Sequence, residues 1–363
     1  MASTYGFIGL GLIGGSIAKG LKAAEPDCVI MAYMRSRARL ETALSEGTVD
    51  RILAGITEEL SACDIIFLCT PTELCSEYLA ALKPILKPGA FVTDVGSTKS
   101  AIVKTAAELG MGSCFVGGHP MAGSEKSGYE YSNPVMLENI FYMLCPAPDT
   151  PSAHLQRMFE LVAALKANPY VIDPEEHDKA VATISHLPHL VAAALVNLVH
   201  DTDTPEQTMK RLAAGGFKDI TRIASFSPVM WQQIFSSNRA AVLKVLRQYI
   251  ESLEAIEQDL MDDDMTAIHT LFLNSGNYRK TFADAHGLMK AQYSISVHVE
   301  DKPGAISIIS SILAAGGISI KNIGINHNRE SGEGALRIEF YDADSCATAM
   351  RLVKQYNYRV ESR

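Results

Sequence analysis

The chain has 363 residues and a formal net charge of −9, with 47% hydrophobic and 20% charged residues. This length predicts two or three domains, and the composition is typical of a globular protein. The acidic balance and the lack of a Lys/Arg run argue against a nucleic-acid groove and against an anionic membrane surface as partner.

The seven cysteines are scattered and form no C-x-x-C pair. We therefore expect reduced thiols in a cytoplasmic protein, with neither a disulfide framework nor a metal site. No run of eighteen apolar residues and no signal-peptide pattern occurs, so we expect no membrane span.

Residues 1–150 alternate short apolar runs with helical stretches, from Tyr5 to Ile8 at the start to Phe141 to Cys145 at the end. The first five runs, which end with Cys114 to Val116, are short and apolar, as is typical of parallel strands buried on both faces. Their alternation with helices predicts βαβ units and an α/β domain.

Residues 151–289 indicate a helical domain, interrupted by one short strand-like segment at Tyr170 to Ile172. Asp173, Pro174 and Glu176 have the spacing of an N-cap, a first turn and a capping box. Such an apolar helical block forms either a plain core or an oligomer interface, and the sequence leaves both open.

Residues 290–363 predict a small α+β module with the order β-α-β-β-α-β, in which Arg359-Val360 is the last strand. Asp301-Lys302-Pro303-Gly304 forms a turn before its first helix, and Gly316-Gly317 ends that helix.

The first strand leads into the sequence GLGLIGGS, a G-x-G-x-x-G pattern. Gly9 permits a tight turn, Gly11 a close approach to a pyrophosphate, and Gly14 close packing of helix on strand. Leu12 and Ile13 then open a helix whose free N–H groups face the phosphates. This position at a strand-to-helix junction predicts a Rossmann-type dinucleotide site.

The second strand ends in Ala32-Tyr33-Met34-Arg35-Ser36-Arg37. NAD-binding domains commonly carry Asp or Glu there, to accept a hydrogen bond from the ribose 2′-OH. Arg35 and Ser36 could instead meet a 2′-phosphate, or they could be solvated surface residues. The residues alone slightly favour NADP.

Two polar segments, DVGSTK and GGHPMAGSEKSG, follow later strands. Ligands of open α/β sheets bind outside the carboxyl ends of the strands. Ser97, His119 and Glu125 are therefore candidates to surround a nicotinamide ring and its substrate.

The helical domain adds two further motifs. His186 and His189 in SHLPH lie three residues apart on one helix face. Pro188 between them would cost about 3 kcal/mol inside a helix, and no carboxylate or Cys at suitable spacing suggests a metal. Arg222 in AAGGFKDITRIA suits a substrate carboxylate, whereas Trp231 reads as a packing residue.

In order and spacing, GLGLIGGS, DVGSTK, GGHPMAGSEKSG, ISHLPH, AAGGFKDITRIA and SPVMW resemble the prephenate dehydrogenase family of tyrosine biosynthesis. The segments DKPG and GGISIKNI resemble an ACT domain. The resemblance implies an N-terminal Rossmann-type parallel sheet (1–150), a helical substrate and dimerisation domain (151–289) and a C-terminal ferredoxin-like ACT domain (290–363).

The family resemblance implies an oxidative decarboxylation of prephenate to 4-hydroxyphenylpyruvate, with NAD as the first choice of cofactor and NADP not excluded. It implies that His119 is the general base for the C4 hydroxyl and that Ser97 holds the same hydroxyl and orients His119. The implied substrate-binding residues are Arg222, paired with a carboxylate, and His186, His189, Glu125 and Asp219, the last holding Arg222 in place.

The resemblance further implies a homodimer and feedback inhibition by tyrosine bound near Gly304 and Asn322, with a dimer-forming module without ligand as the alternative. Arogenate dehydrogenase is a rival activity that the residues do not separate from prephenate dehydrogenase. An amino-acid-sensing regulator on an inactive dehydrogenase fold is a rival from another class, and the presence of Ser97, His119 and Arg222 in their motifs argues against it.

Overall fold

The computed structural model describes residues 2–124, 126–284, 293–300, 302–327 and 333–362. Contacts divide the chain into two units, Met1–Glu254 and Ala255–Arg363. The first unit contains one eight-stranded sheet. Its strands are β1 Thr4–Ile8, β2 Val29–Tyr33, β3 Arg51–Ile52, β4 Ile65–Leu68, β5 Phe91–Asp94, β6 Phe115–Pro120, β7 Phe141–Pro146 and β8 Asn168–Val171.

The strand order is β3-β2-β1-β4-β5-β6-β7-β8. The first six strands are parallel, β7 runs antiparallel to β6, and β8 is parallel to β7. The parallel part has the doubly wound Rossmann order, so the predicted α/β class is confirmed. The predicted run Phe141 to Cys145 is a strand, but it reverses the direction of the sheet.

Helices cover both faces of this sheet. They are α1 Leu12–Ala24, α2 Arg37–Ser45, α3 Cys75–Leu82, α4 Ser100–Glu108 and α5 Ser152–Ala164. Tyr5 and Phe7 of β1 join a core cluster with α1 and α5, whereas Ile8 joins a second cluster with α3 and α4. Burial on both faces explains why the strands are continuous apolar runs.

The rest of the first unit is helical, as predicted. The helices are α6 Pro174–Val181, α7 Leu187–Thr202, α8 Thr208–Leu212, α9 Gly215–Thr221, α10 Pro228–Ser237 and the greater part of α11 Arg239–Met261. The Asp173 side chain accepts hydrogen bonds from the backbone N–H groups of Glu175 and Glu176, which confirms the predicted N-cap. Ser227 caps α10 in the same way.

Five residues between α6 and α7, Ala182–His186, form a π-helical turn. Pro188 follows this turn directly, inside a helix that runs without a break from Pro174 to Thr202. The predicted place of Pro188 inside a helix is therefore confirmed, and the wide π turn before it accommodates the missing backbone N–H. By length and composition alone, the run Pro174–Thr202 could cross a membrane, but the core helix of a soluble protein meets the same two criteria.

The second unit holds the end of α11 and a small α/β module. Its elements are α12 Met265–Asp284, β9 Ser294–Glu300, α13 Ala305–Ala315, β10 Asn322–His327, β11 Glu333–Glu339, α14 Ala343–Gln355 and β12 Val360–Ser362. The sheet order is β10-β11-β9-β12, with every neighbouring pair antiparallel. This is the predicted β-α-β-β-α-β ferredoxin-like arrangement. Its core joins Ile295 and Val297 to Ile309, Leu313 and Val353.

Candidate active site

The carboxyl ends of β5 and β6 bring Asp94 and His119 to the same edge of the sheet. Asp94 is the last residue of β5, and His119 is the penultimate residue of β6. The backbone N–H of Gly118 donates to Asp94 Oδ1 over 3.0 Å. The sheet itself therefore fixes the position of the His119 backbone.

His119 begins a chain of three buried side chains. Its Nδ1 lies 2.8 Å from Nε2 of His177, and Nδ1 of His177 lies 2.8 Å from Oδ1 of Asp178. The backbone N–H groups of Lys99 and Ser100, at the start of α4, donate to the Asp178 carboxylate over 2.7 and 2.8 Å. Nε2 of His119 makes no hydrogen bond to any residue that the structure describes.

A buried ion pair, Lys99–Asp94, lies next to these three side chains. The Lys99 ammonium group pairs with the Asp94 carboxylate and donates to the carbonyl oxygen of Gly118 over 2.8 Å. Both side chains are buried, at 0% and 1% exposure. Because Lys99 also contacts Asp178 through its backbone, one residue ties β5, β6 and α6 together.

The surroundings keep His119 neutral. Burial is the largest cause that lowers the pKa of His119 well below 6.5, and His177, Lys99 and His186 lower it further. Burial by itself would raise the pKa of Asp178, but hydrogen bonds from His177, Lys99 and Ser100 outweigh it and lower that pKa. The site thus combines a neutral imidazole with an ionised carboxylate.

His186 and His189 lie beside this chain and share one aromatic neighbour, Trp231. The ring centroids of His189 and Trp231 are 3.8 Å apart, and those of His186 and Trp231 are 5.8 Å apart. The Asn238 side-chain amide lies 3.2 Å from Nδ1 of His186 and donates to the backbone carbonyl of Asp178 over 2.8 Å. This amide connects the two histidine groups.

Both of these histidines have lowered pKa values. Burial lowers the pKa of His186 to about 4, against an opposing effect of Asp178. Burial also lowers the pKa of His189, and the nearby charge of Arg222 adds to that effect. Trp231 Nε1 is buried and has no hydrogen-bond partner among the described residues.

The other predicted site residues differ in burial and in their contacts. Ser97 follows β5, is half-buried, and forms no hydrogen bond with His119 in the described part of the chain; His177 supplies the bond that orients His119. Arg222 and Asp219 are both exposed, and within the described residues they form no ion pair with each other. Glu125 lies outside the described residues.

A cavity of about 370 Å³ opens beside the glycine motif. Gly9 has a φ of 90°, as a tight turn requires, and a Cβ there would lie 2.5 Å from the carbonyl oxygen of Cys69. A Cβ at Gly14 would lie 2.9 Å from the carbonyl oxygen of Gly9, whereas Gly11 faces open space. Leu12 and Ile13 form the first turn of α1, which carries no side-chain cap. These features leave space and free N–H groups for a pyrophosphate.

Sequence reasoning missed most of the polar framework around His119. The missed residues are Asp94, Lys99, His177, Asp178 and Asn238. A local signal existed for one pair, because His177 and Asp178 directly follow a capped helix start and lie on the face of α6 that also buries Val181.

Comparisons with known proteins give a consistent result. Residues 17–171 match the family model "Prephenate dehydrogenase, nucleotide-binding domain", and residues 173–274 match "Prephenate dehydrogenase, dimerization domain". The chain is 36% identical over 360 residues to the prephenate dehydrogenase of Bacillus subtilis (strain 168), covering 98% of this chain and 96% of that protein. It is 34% identical to that of Lactococcus lactis subsp. cremoris, covering 96% of each.

Solved structures agree over about three quarters of the chain. A. aeolicus prephenate dehydrogenase, solved with hydroxyphenyl propionate and NAD+, has a TM-score of 0.73 and 31% identity, over 78% of this chain and 99% of that one. Synechocystis arogenate dehydrogenase has a TM-score of 0.70 and 32% identity, over 77% and 99%. From its sequence and its fold, the chain belongs to the prephenate dehydrogenase family.

Proposed function

We propose that this chain catalyses the oxidative decarboxylation of prephenate to 4-hydroxyphenylpyruvate, with NAD as hydride acceptor, in tyrosine biosynthesis. The observation that carries the proposal is the buried chain His119–His177–Asp178 at the carboxyl edge of a dinucleotide-binding sheet. Membership of the family and the likeness to an enzyme solved with NAD+ support the same reaction.

The hydrogen bonds determine which nitrogen of His119 can act as base. The Asp178 carboxylate can only accept, so Nδ1 of His177 donates to it and Nε2 of His177 is left as an acceptor. Nδ1 of His119 must then donate to His177. Nε2 of His119 keeps a free lone pair, which can take the proton of the C4 hydroxyl group.

The charge that forms on His119 during the reaction is stabilised through the same chain. A neutral His119 is required at the start, and burial supplies it by lowering the pKa. When His119 takes the proton, its Nδ1–H bond to His177 strengthens, and the Asp178 carboxylate balances the positive charge. Decarboxylation of the ring then yields an aromatic product, which drives the reaction.

The glycine motif fits the cofactor. When bound, NAD accepts the hydride that leaves C4. The open space at Gly11 and the uncapped first turn of α1 would hold its pyrophosphate, with Gly9, Leu12, Ile13 and Gly14 shaping the turn.

The substrate is a dianion, and the residues around Trp231 suit it. The buried N–H of Trp231 lacks an acceptor, and a carboxylate oxygen would supply one. His186 and His189 lie against the same ring, and Arg222 is close enough to lower the pKa of His189. We assign them, with Ser97 at the hydroxyl end and Asp219 and Glu125 as supporting residues, to substrate binding.

The direct test is the absorbance of reduced cofactor with prephenate, for the wild type and for His119→Asn. We expect turnover by the wild type and a loss of about 10²-fold or more in kcat for the variant. His200→Asn, at an exposed position of α7, serves as control and should keep its activity. Absence of turnover by the folded wild type would refute the assignment.

Arogenate is a second candidate substrate, because a Synechocystis arogenate dehydrogenase shares the fold over 77% of this chain. Arogenate carries an amino group where prephenate carries a keto group. The ratio of kcat/KM for the two substrates decides between them.

For the C-terminal module, an ACT-like domain that binds tyrosine near Gly304 and Asn322 remains our proposal. Gly304 has a φ of 90° and precedes α13, whose first turn has no side-chain cap, while Asn322 begins β10. Free N–H groups at that turn suit an amino-acid carboxylate. If millimolar tyrosine changes neither the activity nor the Tm, this part is wrong.

The domain boundaries and the assembly are further proposals. We divide the chain into residues 1–150, 151–289 and 290–363, and we propose a homodimer formed through the segment that matches the dimerization model. The free, mostly buried thiols suit a reducing compartment such as the cytoplasm.

A further inference from the structure

One end of the cofactor cavity is formed by residues that follow β2. Tyr33, Met34, Arg35, Ser36 and Arg39 line it there. In a Rossmann domain this is the region that meets the ribose of the adenosine half, where the 2′-substituent distinguishes NAD from NADP. The chemistry of this rim therefore bears on which dinucleotide binds.

No acidic side chain lines the cavity at this rim. None of the residues lining the cavity is Asp or Glu, and two of them are Arg. An NAD-selective site uses a carboxylate to accept the ribose 2′-OH, and that carboxylate would repel a 2′-phosphate. Met34, the first residue after β2, can neither accept that hydrogen bond nor repel a phosphate.

The two arginines are arranged differently. Arg39 donates to the carboxylate of Glu130 over 2.8 Å, which holds its guanidinium at the rim while leaving other N–H donors unused. The Arg35 side chain is exposed, and it forms no ion pair within the described residues. Both can turn donors toward an anion at the rim.

Ser36 adds a neutral donor between the two arginines. It precedes α2 with an extended backbone, and its hydroxyl makes no capping hydrogen bond. The first turn of α2 also lacks acidic residues. Hydroxyl and guanidinium groups together are the usual partners of a phosphate in proteins.

We propose that Arg35, Ser36 and Arg39 form a binding site for the 2′-phosphate of NADP, so that this chain binds NADP at least as well as NAD. The inference rests on the proposed function for the presence of a dinucleotide, but it concerns the 2′ end alone. It adds a cofactor to that function and leaves the chemistry at His119 unchanged.

Binding, measured by calorimetry on the full-length chain, tests the site without relying on turnover. The probes are NAD, NADP, AMP and adenosine 2′,5′-bisphosphate. We expect NADP to bind within about threefold of NAD or more tightly, and the bisphosphate to bind about tenfold more tightly than AMP. The preference for the bisphosphate should weaken as salt is raised.

Three variants locate the effect. Arg35→Gln should weaken NADP binding about tenfold and NAD binding less than about twofold, whereas Met34→Asp should favour NAD over NADP by about tenfold. Arg37→Gln is the matched control, because Arg37 starts the same helix but pairs with Glu41 and does not line the cavity. It should leave both affinities unchanged.

The outcomes separate this inference from the proposed function. NADP binding that is more than about threefold weaker than NAD binding, or equal losses in Arg35→Gln and Arg37→Gln, would overturn the 2′-phosphate site and leave the NAD enzyme intact. A folded chain that binds neither dinucleotide would overturn both.

Discussion

The residues around His119 and the residues around Arg222 belong to one proposed active site, yet the protein builds them by opposite means. His119, His177 and Asp178 are 9%, 1% and 4% exposed, and each is held by hydrogen bonds. Asp219 lies in the short helix α9 and Arg222 directly follows it. Both residues are exposed, and α9 has no buried residue.

This difference suggests a division of labour. A base that is buried and oriented before the substrate arrives needs little rearrangement during the reaction. Substitutions that disturb it should therefore lower kcat and the stability of the fold. An exposed guanidinium gains its fixed geometry only when it binds a carboxylate. Substitution of such a residue should therefore raise KM. Four measurements test the contrast.

The largest effect is expected from Lys99→Met. The variant leaves the buried Asp94 carboxylate without its cation, which should reduce the free energy of unfolding by about 3–5 kcal/mol. Urea denaturation measures it. Lys104→Met, at a 76% exposed position of the same helix, should change the stability by less than about 0.5 kcal/mol. Equal stabilities of the two variants would contradict a preformed framework.

Asp178→Asn should reduce kcat by about 10²-fold or more with little change in KM, because an amide can donate to His177 and disturb the order of donors along the chain. Steady-state kinetics and the pH profile of kcat/KM give the answer. Asp173→Asn, in the cap of the same helix, controls for damage to α6. A kcat within about threefold of the wild type would exclude a role for Asp178 in orienting the base.

Stability should also depend on pH through the buried histidines. His186 has a pKa of about 4 in the folded chain, mainly because burial disfavours its cation, against 6.5 as its ordinary value. Between these two pH values the unfolded chain binds more protons, so the free energy of unfolding falls as the pH falls.

For His186 alone this amounts to about 2 kcal/mol between pH 7 and pH 5. Denaturation curves at the two pH values should show a smaller pH dependence in His186→Gln than in the wild type. His200→Gln, at an 84% exposed side chain, should retain the wild-type dependence. Identical pH dependence in all three proteins would argue that His186 is not kept neutral by burial.

The smallest effect is expected from Arg222→Ala. Loss of one charge-assisted contact to a carboxylate should raise KM about tenfold and change kcat by less than about threefold. Lys218→Ala, an exposed cation on α9, is the matched control. A fall in kcat with constant KM would mean that Arg222 acts on the transition state, and the contrast with the His119 group would fail.

Local patterns predicted the fold well where short-range chemistry determines it. The spacing of Gly9, Gly11 and Gly14 predicted a strand-to-helix turn, and Asp173 predicted a helix start, because each depends on residues within one turn. The order of helices and strands along the C-terminal module could also be predicted from alternation and turn residues.

The partners of His119 could not be found in this way. His177 is 58 residues from His119, and Asp178 is 79 residues from Lys99, so only the packing of α6 on α4 brings them together. The π turn before Pro188 was not predicted for a related reason. A proline within a helical pattern indicates a kink or a break, and nothing local shows that the chain accommodates it with a π turn inside one continuous helix.

A turn of π-helix holds about one residue more than a turn of α-helix, and one residue corresponds to about 100° of rotation. Ala182–His186 therefore sets the angular register of α7 separately from that of α6. His177 and Asp178 face α4, while His186 and His189 face Trp231. Deleting one residue from this turn would rotate the second pair away and leave the first in place. A single inserted residue thus sets the direction of His186 and His189 independently of the direction of His177 and Asp178.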